Sequence, residues 1–231
     1  MGAVTAQWRR QRRISRAVKR AVDVVAAASG LVVLAPLMTI IAISIRLTMG
    51  PPVLFRQTRP GFRGRSFRLV KFRTMRDDRG PDGDLLPDSE RVSRLGALLR
   101  RMSLDELPEL WNVVAGDMSL VGPRPLLMRY LPHYTSEQAR RHDVRPGLTG
   151  WAQVNGRRAI TMADRFALDV WYVDHWSVAL DARIIVRTVG MVVGGRGVEP
   201  PETGVTDPFQ TLVRQDNSSG EINEEGGSGP P

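Results

Sequence analysis

No cysteine occurs among the 231 residues. That excludes a disulfide framework, thiolate zinc sites, iron–sulfur clusters and a cysteine nucleophile, and it fits a reducing compartment. Aromatic residues are scarce, at 6%. No GxGxxG, Walker loop, βαβ alternation or internal repeat is present, so nothing argues for a Rossmann or P-loop fold. The three histidines, His133, His142 and His175, lack metal-ligand spacing. Acid is almost missing from the first third: residues 1–76 hold 16 Lys and Arg against Asp23 alone.

The remaining charge is distributed differently. Residues 77–198 carry 16 basic and 16 acidic side chains, and residues 199–231 carry seven acids against Arg214, so the net +9 comes from the N-terminal third. That charge flanks the one long apolar segment, residues 24–45, which is 22 residues without a charge. Lys and Arg beside an apolar stretch point to anionic lipid headgroups. Nucleic acid is the rival partner for such charge, and it is disfavoured because the basic region has few aromatics and no recognition motif.

Residues 24–45 are long enough to cross a bilayer, which takes about 20 helical residues. A signal peptide is disfavoured, because Arg46 stands where a small-residue cleavage site would follow. A single span places dense positive charge on both sides of the membrane, against the positive-inside rule. A re-entrant helix, broken at Pro36 and leaving on the side it entered, satisfies that rule. The stretch before Pro36 is roughly 18 Å of helix, too short to cross alone. Re-entry is therefore the preferred reading, and a kinked span is the alternative.

Beyond Gly50-Pro51-Pro52, residues 55–72 predict a small β-hairpin. Residues 89–102 predict an amphipathic helix with Val92, Leu95, Leu98, Leu99 and Met102 on one stripe. Further helices are expected at 109–115, at 136–142, at 162–175 with Phe166, Val170 and Val173 inward, and at 180–193 with Ile184, Ile185 and Val189 inward. The fold class is α+β, predominantly helical, with an N-terminal re-entrant helix and a small hairpin. The expected organisation is a basic segment 1–20, a membrane helix 21–49, a cytoplasmic catalytic domain 50–198 and an acidic, largely disordered tail 199–231, ordered at most near 206–212.

Ser103-Leu104-Asp105-Glu106 has two readings. As a capping box, Ser103 caps a helix and Glu106 returns the bond. Against a purely structural role, Pro108 falls where it would remove a helical hydrogen bond. As a catalytic pair, Asp105 lies in a first helical turn whose field favours its ionised form, and it can attack phosphorus. Glu106, about 100° around the helix, can then hold a divalent cation. Arg100, Arg101 and Arg124 are close in sequence. In Gly122-Pro123-Arg124-Pro125 the prolines hold the backbone extended and the guanidinium offers a phosphate-matched fork, although a rigid loop with a salt bridge explains it equally. Lys71-Phe72-Arg73 and Arg145-Pro146-Gly147 are weaker candidates.

In their order along residues 16–198, these segments resemble the bacterial sugar transferase family of monotopic phosphoglycosyl transferases. The resemblance rests on Lys19-Arg20 with Asp23, Phe55-Arg56-Gln57-Thr58-Arg59-Pro60-Gly61 and Lys71-Phe72-Arg73-Thr74-Met75. It continues through the run from Ser103 to Asn112, the run from Gly116 to Pro125, and the run from Arg145 to Gly156. It implies a cytoplasm-facing domain on the bacterial inner membrane and dependence on Mg²⁺. The implied reaction is ping-pong: Asp105 attacks the β-phosphorus of a UDP-sugar, UMP leaves, and polyprenyl phosphate, usually undecaprenyl phosphate, takes the phosphosugar. Glu106 matches the metal-linked carboxylate. Lys71, Arg100, Arg124 and Asp181 match substrate-binding or supporting positions, and Pro123, Arg124 and Pro125 match the nucleotide-binding segment; Arg145 joins them as a substrate-binding candidate. Ala35 stands where the family often has serine before the proline, and no extra transmembrane domain is expected before residue 16. The runs 126–132 and 140–146 resemble enzymes that start glycoprotein glycans, which implies an N-acetylated donor such as UDP-N,N′-diacetylbacillosamine. The rivals are a non-catalytic lipid-binding anchor and direct transfer with Asp105 as base.

Overall fold

The computed structural model describes residues 2–156 and 161–194, with the side chains of 15–156, 161–192 and 194. The acidic segment 199–231 lies outside the described residues. Helix α1 runs from Gly2 to Met49 and carries Pro36 inside it. The helix does not stop at Pro36, so the expected break is absent as an interruption of secondary structure. The boundary expected between residues 20 and 21 also falls inside this one helix. Proline removes a single backbone donor, a loss that an apolar helix tolerates where neighbouring groups are satisfied. The hydroxyls of Thr39, Ser44 and Thr48 donate to carbonyls four residues back, at 2.9, 2.8 and 2.7 Å, and so need no polar neighbour.

One face of α1 packs inward along the whole apolar stretch. Before Pro36, Ala27, Leu31 and Leu34 meet Phe67, Leu69, Leu110, Val113 and Met118. After it, Met38, Ile41, Ala42 and Ile45 meet Phe72, Leu95, Leu99, Leu104 and Leu107. The other face leaves Val25, Val32, Val33, Ile40, Ile43 and Leu47 exposed. Among the described residues, α1 is the one helix long and apolar enough to cross a membrane.

Polar clamps fix both ends of this stretch. Arg20 donates to the carbonyls of Val113 and Val114 at 2.7 and 3.1 Å. Asp23 accepts from Ser119 Oγ at 2.7 Å and from the Leu120 amide at 3.2 Å. At the other end, the buried guanidinium of Arg73 donates to the carbonyls of Met49, Gly50 and Pro51. The Met49 carbonyl is an orphan acceptor of the helix C-terminus and the other two follow it directly, so the cation also meets the favourable end of the dipole. Lys19, Arg20 and Arg73 thus each spend hydrogen-bond donors on the protein itself.

Strands β1 (Leu54–Pro60) and β2 (Ser66–Phe72) form the expected antiparallel hairpin, Leu54 opposite Phe72. Arg59 of β1 is buried and turned inward, donating to Gln57 at 3.0 Å and to the Pro125 carbonyl at 3.4 Å. The single helix expected over 89–102 is two: α2 (Asp88–Arg91) and α3 (Arg94–Arg101). Val92 leaves helical geometry to bridge Met75, and Ser93 caps α3 by accepting from the Gly96 amide. Of the expected stripe, Leu99 is buried while Leu98 and Met102 are exposed.

Helix α4 (Glu109–Ala115) has the bounds expected from the sequence. Asn112 docks it on β2, donating to the Arg68 carbonyl at 2.8 Å and accepting from the Val70 amide at 3.1 Å. Two three-residue strands, β3 (Ser119–Val121) and β4 (Gly147–Thr149), pair in parallel and were not expected. Helices α5 (Ser136–Ala139) and α6 (Trp151–Asn155) are single turns, and residues Arg140–Asp143 continue α5 as 3₁₀ helix. Helix α7 (Met162–His175) matches its expected bounds and buries Phe166 and Val170. Helix α8 (Val178–Val193) buries Ile184, but Ile185 and Val189 face outward, against expectation.

Candidate active site

The chain reaches Asp105 by an unusual route. Ser103 adopts a left-handed conformation, φ 54°, and makes no side-chain cap. The capping box is therefore not formed. Residues Leu104–Glu106 form one 3₁₀ turn, and α4 starts anew at Glu109 after Pro108. Successive side chains in such a turn sit about 120° apart, so Asp105 and Glu106 face different neighbours.

Asp105 is 5% exposed. Burial, then the neighbouring Glu106, push its carboxyl above the usual carboxylate range, while Lys71, Arg124 and Arg100 pull it back. This corrects the expected helix-terminus effect: a three-residue turn has no macrodipole of consequence, and the ionised form depends on three discrete cations instead. Each cation comes from a different element. Lys71 lies on β2, beside the ring of Phe55, at 5.7 Å. Arg100 lies on α3, its Nε donating to Thr74 Oγ1 at 2.9 Å. That contact requires α3 to cross the chain at Gly96, where a Cβ would stand 1.9 Å from the Thr74 carbonyl oxygen. Arg124 comes from the loop after β3 and pairs with Glu106.

The Arg124 loop is stitched from both sides. The Gly122 amide donates to Thr149 and the Gly147 amide to Pro123, at 2.9 and 3.0 Å. A Cβ on Gly122 would stand 2.3 Å from the Arg145 carbonyl, and one on Gly147 2.1 Å from the Gly122 nitrogen. Pro123 and Pro125 are buried. Arg141 is 2% exposed, pairs with Asp169 of α7 at 2.7 Å, and donates to the Arg124 carbonyl at 2.7 Å. The two separate sequence runs around Pro123 and Gly147 are thus one structural unit that aims Arg124.

Glu109 was missed by the sequence reading. It is 1% exposed, both carboxyl oxygens lack a hydrogen bond, and burial followed by Glu106 pushes its pKa to about 8. Glu109 is therefore a neutral acid at pH 7. Its signal in the sequence was its spacing, four residues after Asp105 within the same run.

Two expected site residues stand apart from this group. Asp181, on α8, accepts from Lys19 and Tyr172 at 2.7 Å each and from Trp176 at 3.1 Å. Its oxygens tie α1 and the end of α7 to α8, in keeping with the supporting role that the resemblance also allowed. Arg145 is exposed and donates to the Gly116 carbonyl at 2.9 Å, at the C-terminal end of α4. The structure thus brings together Lys71, Arg100, Asp105, Glu106 and Arg124, and leaves Arg145 and Asp181 outside.

For Mg²⁺, no group of three His, Asp or Glu side chains is placed to hold a metal among the described residues. Glu106 has Oε1 on Arg124, while Oε2 takes no hydrogen bond among the described residues. One available carboxylate oxygen suits Mg²⁺, which characteristically pairs one or two carboxylates with substrate phosphates and water.

Comparison with known proteins gives the family. Residues 14–195 match the family model for bacterial sugar transferases. An uncharacterized sugar transferase of Bacillus subtilis, EpsL, is 57% identical over 67% of this chain and 77% of its own length. A UDP-glucose:undecaprenyl-phosphate glucose-1-phosphate transferase of Caulobacter vibrioides is 47% identical over 74% of this chain and 68% of its own. An Escherichia coli enzyme of the same name is 39% identical over 76% of this chain, which spans only 40% of that longer protein. A match over nearly the whole described chain places this protein in the bacterial sugar transferase family.

Proposed function

We propose that the chain transfers a sugar-1-phosphate from a UDP-sugar to undecaprenyl phosphate, with Asp105 as nucleophile. The observation that carries this reading is the buried Asp105 carboxyl set among Lys71, Arg100 and Arg124 and next to Glu106. Asp105 Oδ attacks the β-phosphorus, the bond from that phosphorus to the UMP oxygen breaks, and UMP leaves with the electron pair. An oxygen of the lipid phosphate then attacks the same phosphorus. The acyl-phosphate bond breaks, a diphosphate forms, and Asp105 is released as carboxylate. Attack of an anion on an anionic diphosphate requires neutralisation, which the three cations supply by charge. Mg²⁺ held by Glu106 and the diphosphate would add Lewis-acid stabilisation. Neutral Glu109 lies beside the carboxylates without adding a third negative charge.

The relatives' names favour a neutral hexose as donor, glucose first, over the N-acetylated sugar that the resemblance to glycan-initiating enzymes implied. For the membrane, α1 packs on the catalytic body both before and after Pro36. A helix crossing a bilayer would carry one of these stretches away from a body held on the cytoplasmic side. This packing supports the reading that the exposed apolar face of α1 lies in the cytoplasmic leaflet without crossing the bilayer.

The test is UMP release from UDP-glucose, UDP-galactose and N-acetylated UDP-sugars, with Mg²⁺ and undecaprenyl phosphate, by wild type and Asp105→Asn. Lipid-dependent release lost in the variant is the expected result. Undiminished release by folded Asp105→Asn overturns the nucleophile assignment. Exchange of labelled UMP into UDP-sugar without lipid separates the covalent route from direct transfer.

A further inference from the structure

At the C-terminal end of α4, away from the Asp105 group before its N-terminal end, lies a recess of about 510 Å³. Arg16, Arg20 and Arg145 line it, with Phe62 and Trp176 among the walls. The neighbouring Lys19 is held by Asp181 and Asp23, and Arg140 by Glu137 and Asp174. The three arginines have no such ion pair. Arg20 spends both terminal nitrogens on the carbonyls of Val113 and Val114. Arg145 spends only Nε, on the Gly116 carbonyl, and its guanidinium lies 5.8 Å from the Phe62 ring centre. Arg16 is exposed and makes no hydrogen bond or ion pair among the described residues.

Two guanidiniums drawn to the same helix end repel each other. Burial, then Arg145, lower the Arg20 pKa, and Asp23 offsets them in part. Of the lining carboxylates, Asp23 and Asp174 pair with Lys19 and Arg140, and Asp143 has no ion pair among the described residues. The recess thus carries surplus positive charge and an unspent guanidinium fork, a match for phosphate oxygens. Its position indicates the source of the phosphate. Arg16 and Arg20 lie on α1 directly before the apolar stretch, so they share its depth at the start of that stretch. A cation at the start of a membrane-embedded apolar face sits at headgroup depth.

We propose that Arg16, Arg20 and Arg145 form a second anion site, distinct from the transfer site, that takes the phosphate of an acidic phospholipid headgroup. The bound phosphate relieves the repulsion between Arg20 and Arg145 and joins the membrane surface to the C-terminal end of α4. The same chemistry accepts inorganic phosphate, so the experiment distinguishes the two sources.

Calorimetric titration of the full chain in non-ionic detergent uses three probes: a short-chain phosphatidylglycerol, a short-chain phosphatidylcholine and inorganic phosphate. No UDP-sugar is present, so the outcome is independent of the transfer reading. Phosphatidylglycerol is expected to bind, phosphatidylcholine much more weakly, and Arg145→Gln to weaken phosphatidylglycerol by on the order of tenfold. Arg16→Gln, at an exposed side chain with no hydrogen bond or ion pair to lose among the described residues, tests the site with little cost to folding and is expected to weaken binding in the same direction. Inorganic phosphate binding with the same losses, without phosphatidylglycerol binding, overturns the lipid source and keeps an anion site. Absence of binding by every probe, or equal binding by wild type and both variants, overturns the site.

Discussion

Arg141 holds the backbone of Arg124, donating to its carbonyl at 2.7 Å from a guanidinium paired with Asp169 and almost sealed from solvent. Arg124 in turn reaches Glu106. A residue on one side of the fold therefore sets the direction of a cation beside the candidate nucleophile. Arg141→Ala removes the buried cation paired with Asp169, a change that costs about 3–5 kcal/mol. Denaturant unfolding should show that loss. Arg141→Lys keeps the charge but cannot reach both Asp169 and the Arg124 carbonyl with one fork, and should lower transfer more than stability.

Asp105 must lose its proton to attack, and burial with Glu106 raises its pKa. The acid limb of the rate profile should therefore lie above the ordinary aspartate range. Lys71→Met and Arg100→Met each remove a cation that favours the carboxylate, so each should move that limb to higher pH while lowering the maximal rate. Rate profiles measured at saturating donor decide it; an unmoved limb in both variants sinks the assignment.

Glu109 has a folded pKa of about 8 against an ordinary 4.5. The folded state holds this proton more tightly, so the stability contribution is full below pH 4.5 and is lost as pH rises toward 8. The slope is about 1.4 kcal/mol per pH unit in that window. Glu109→Gln removes the ionisation. The variant should gain on wild type steadily from pH 5 to 8 and stop gaining above it, as measured by denaturant midpoints.

Glycine substitutions should divide sharply. A Cβ on Gly122 meets the Arg145 carbonyl at 2.3 Å, and neither backbone can step aside without opening the β3–β4 pair. Gly122→Ala should cost about 3 kcal/mol, or more where the chain cannot shift, and abolish transfer. Gly190, inside α8, has nothing within 4 Å of its would-be Cβ. Gly190→Ala should stabilise by about 0.5–1 kcal/mol, because alanine loses less freedom in a helix. Thermal unfolding of the two variants in detergent tests both signs.

Where apolar spacing agreed with a clear cap or stop, the sequence was readable to the residue. Thr161 opens α7 with a capping box, and Gly116 closes α4 in a left-handed conformation. The hairpin was legible from alternation across β1 and β2. Tertiary contacts decided the rest. Val92 leaves its helix to bridge Met75, Ser103 turns left-handed instead of capping, and β3 and β4 are too short to leave a pattern. At the site, Lys71, Arg100, Arg124, Asp105 and Glu106 could be nominated from their types and order. Arg59, Arg141 and Glu109 could not, because a charged residue in a sequence is read as solvated until its burial is seen. Asp181 could be nominated too, but its bonds to Lys19, Tyr172 and Trp176 across three parts of the chain could not be read from its position.

The way α1 is held has a consequence for how the protein can be divided. Its inner face supplies part of both hydrophobic clusters, Arg20 closes one end of α4, and Arg73 closes the end of α1 itself. Removing the first 49 residues would not release a soluble enzyme. It would uncover Leu110, Val113, Phe72 and Leu99, and take the Met49 carbonyl from Arg73 and Lys19 from Asp181. Anchor and catalyst are inherited together, so a new membrane address for this activity has to be added outside the existing helix rather than exchanged for it.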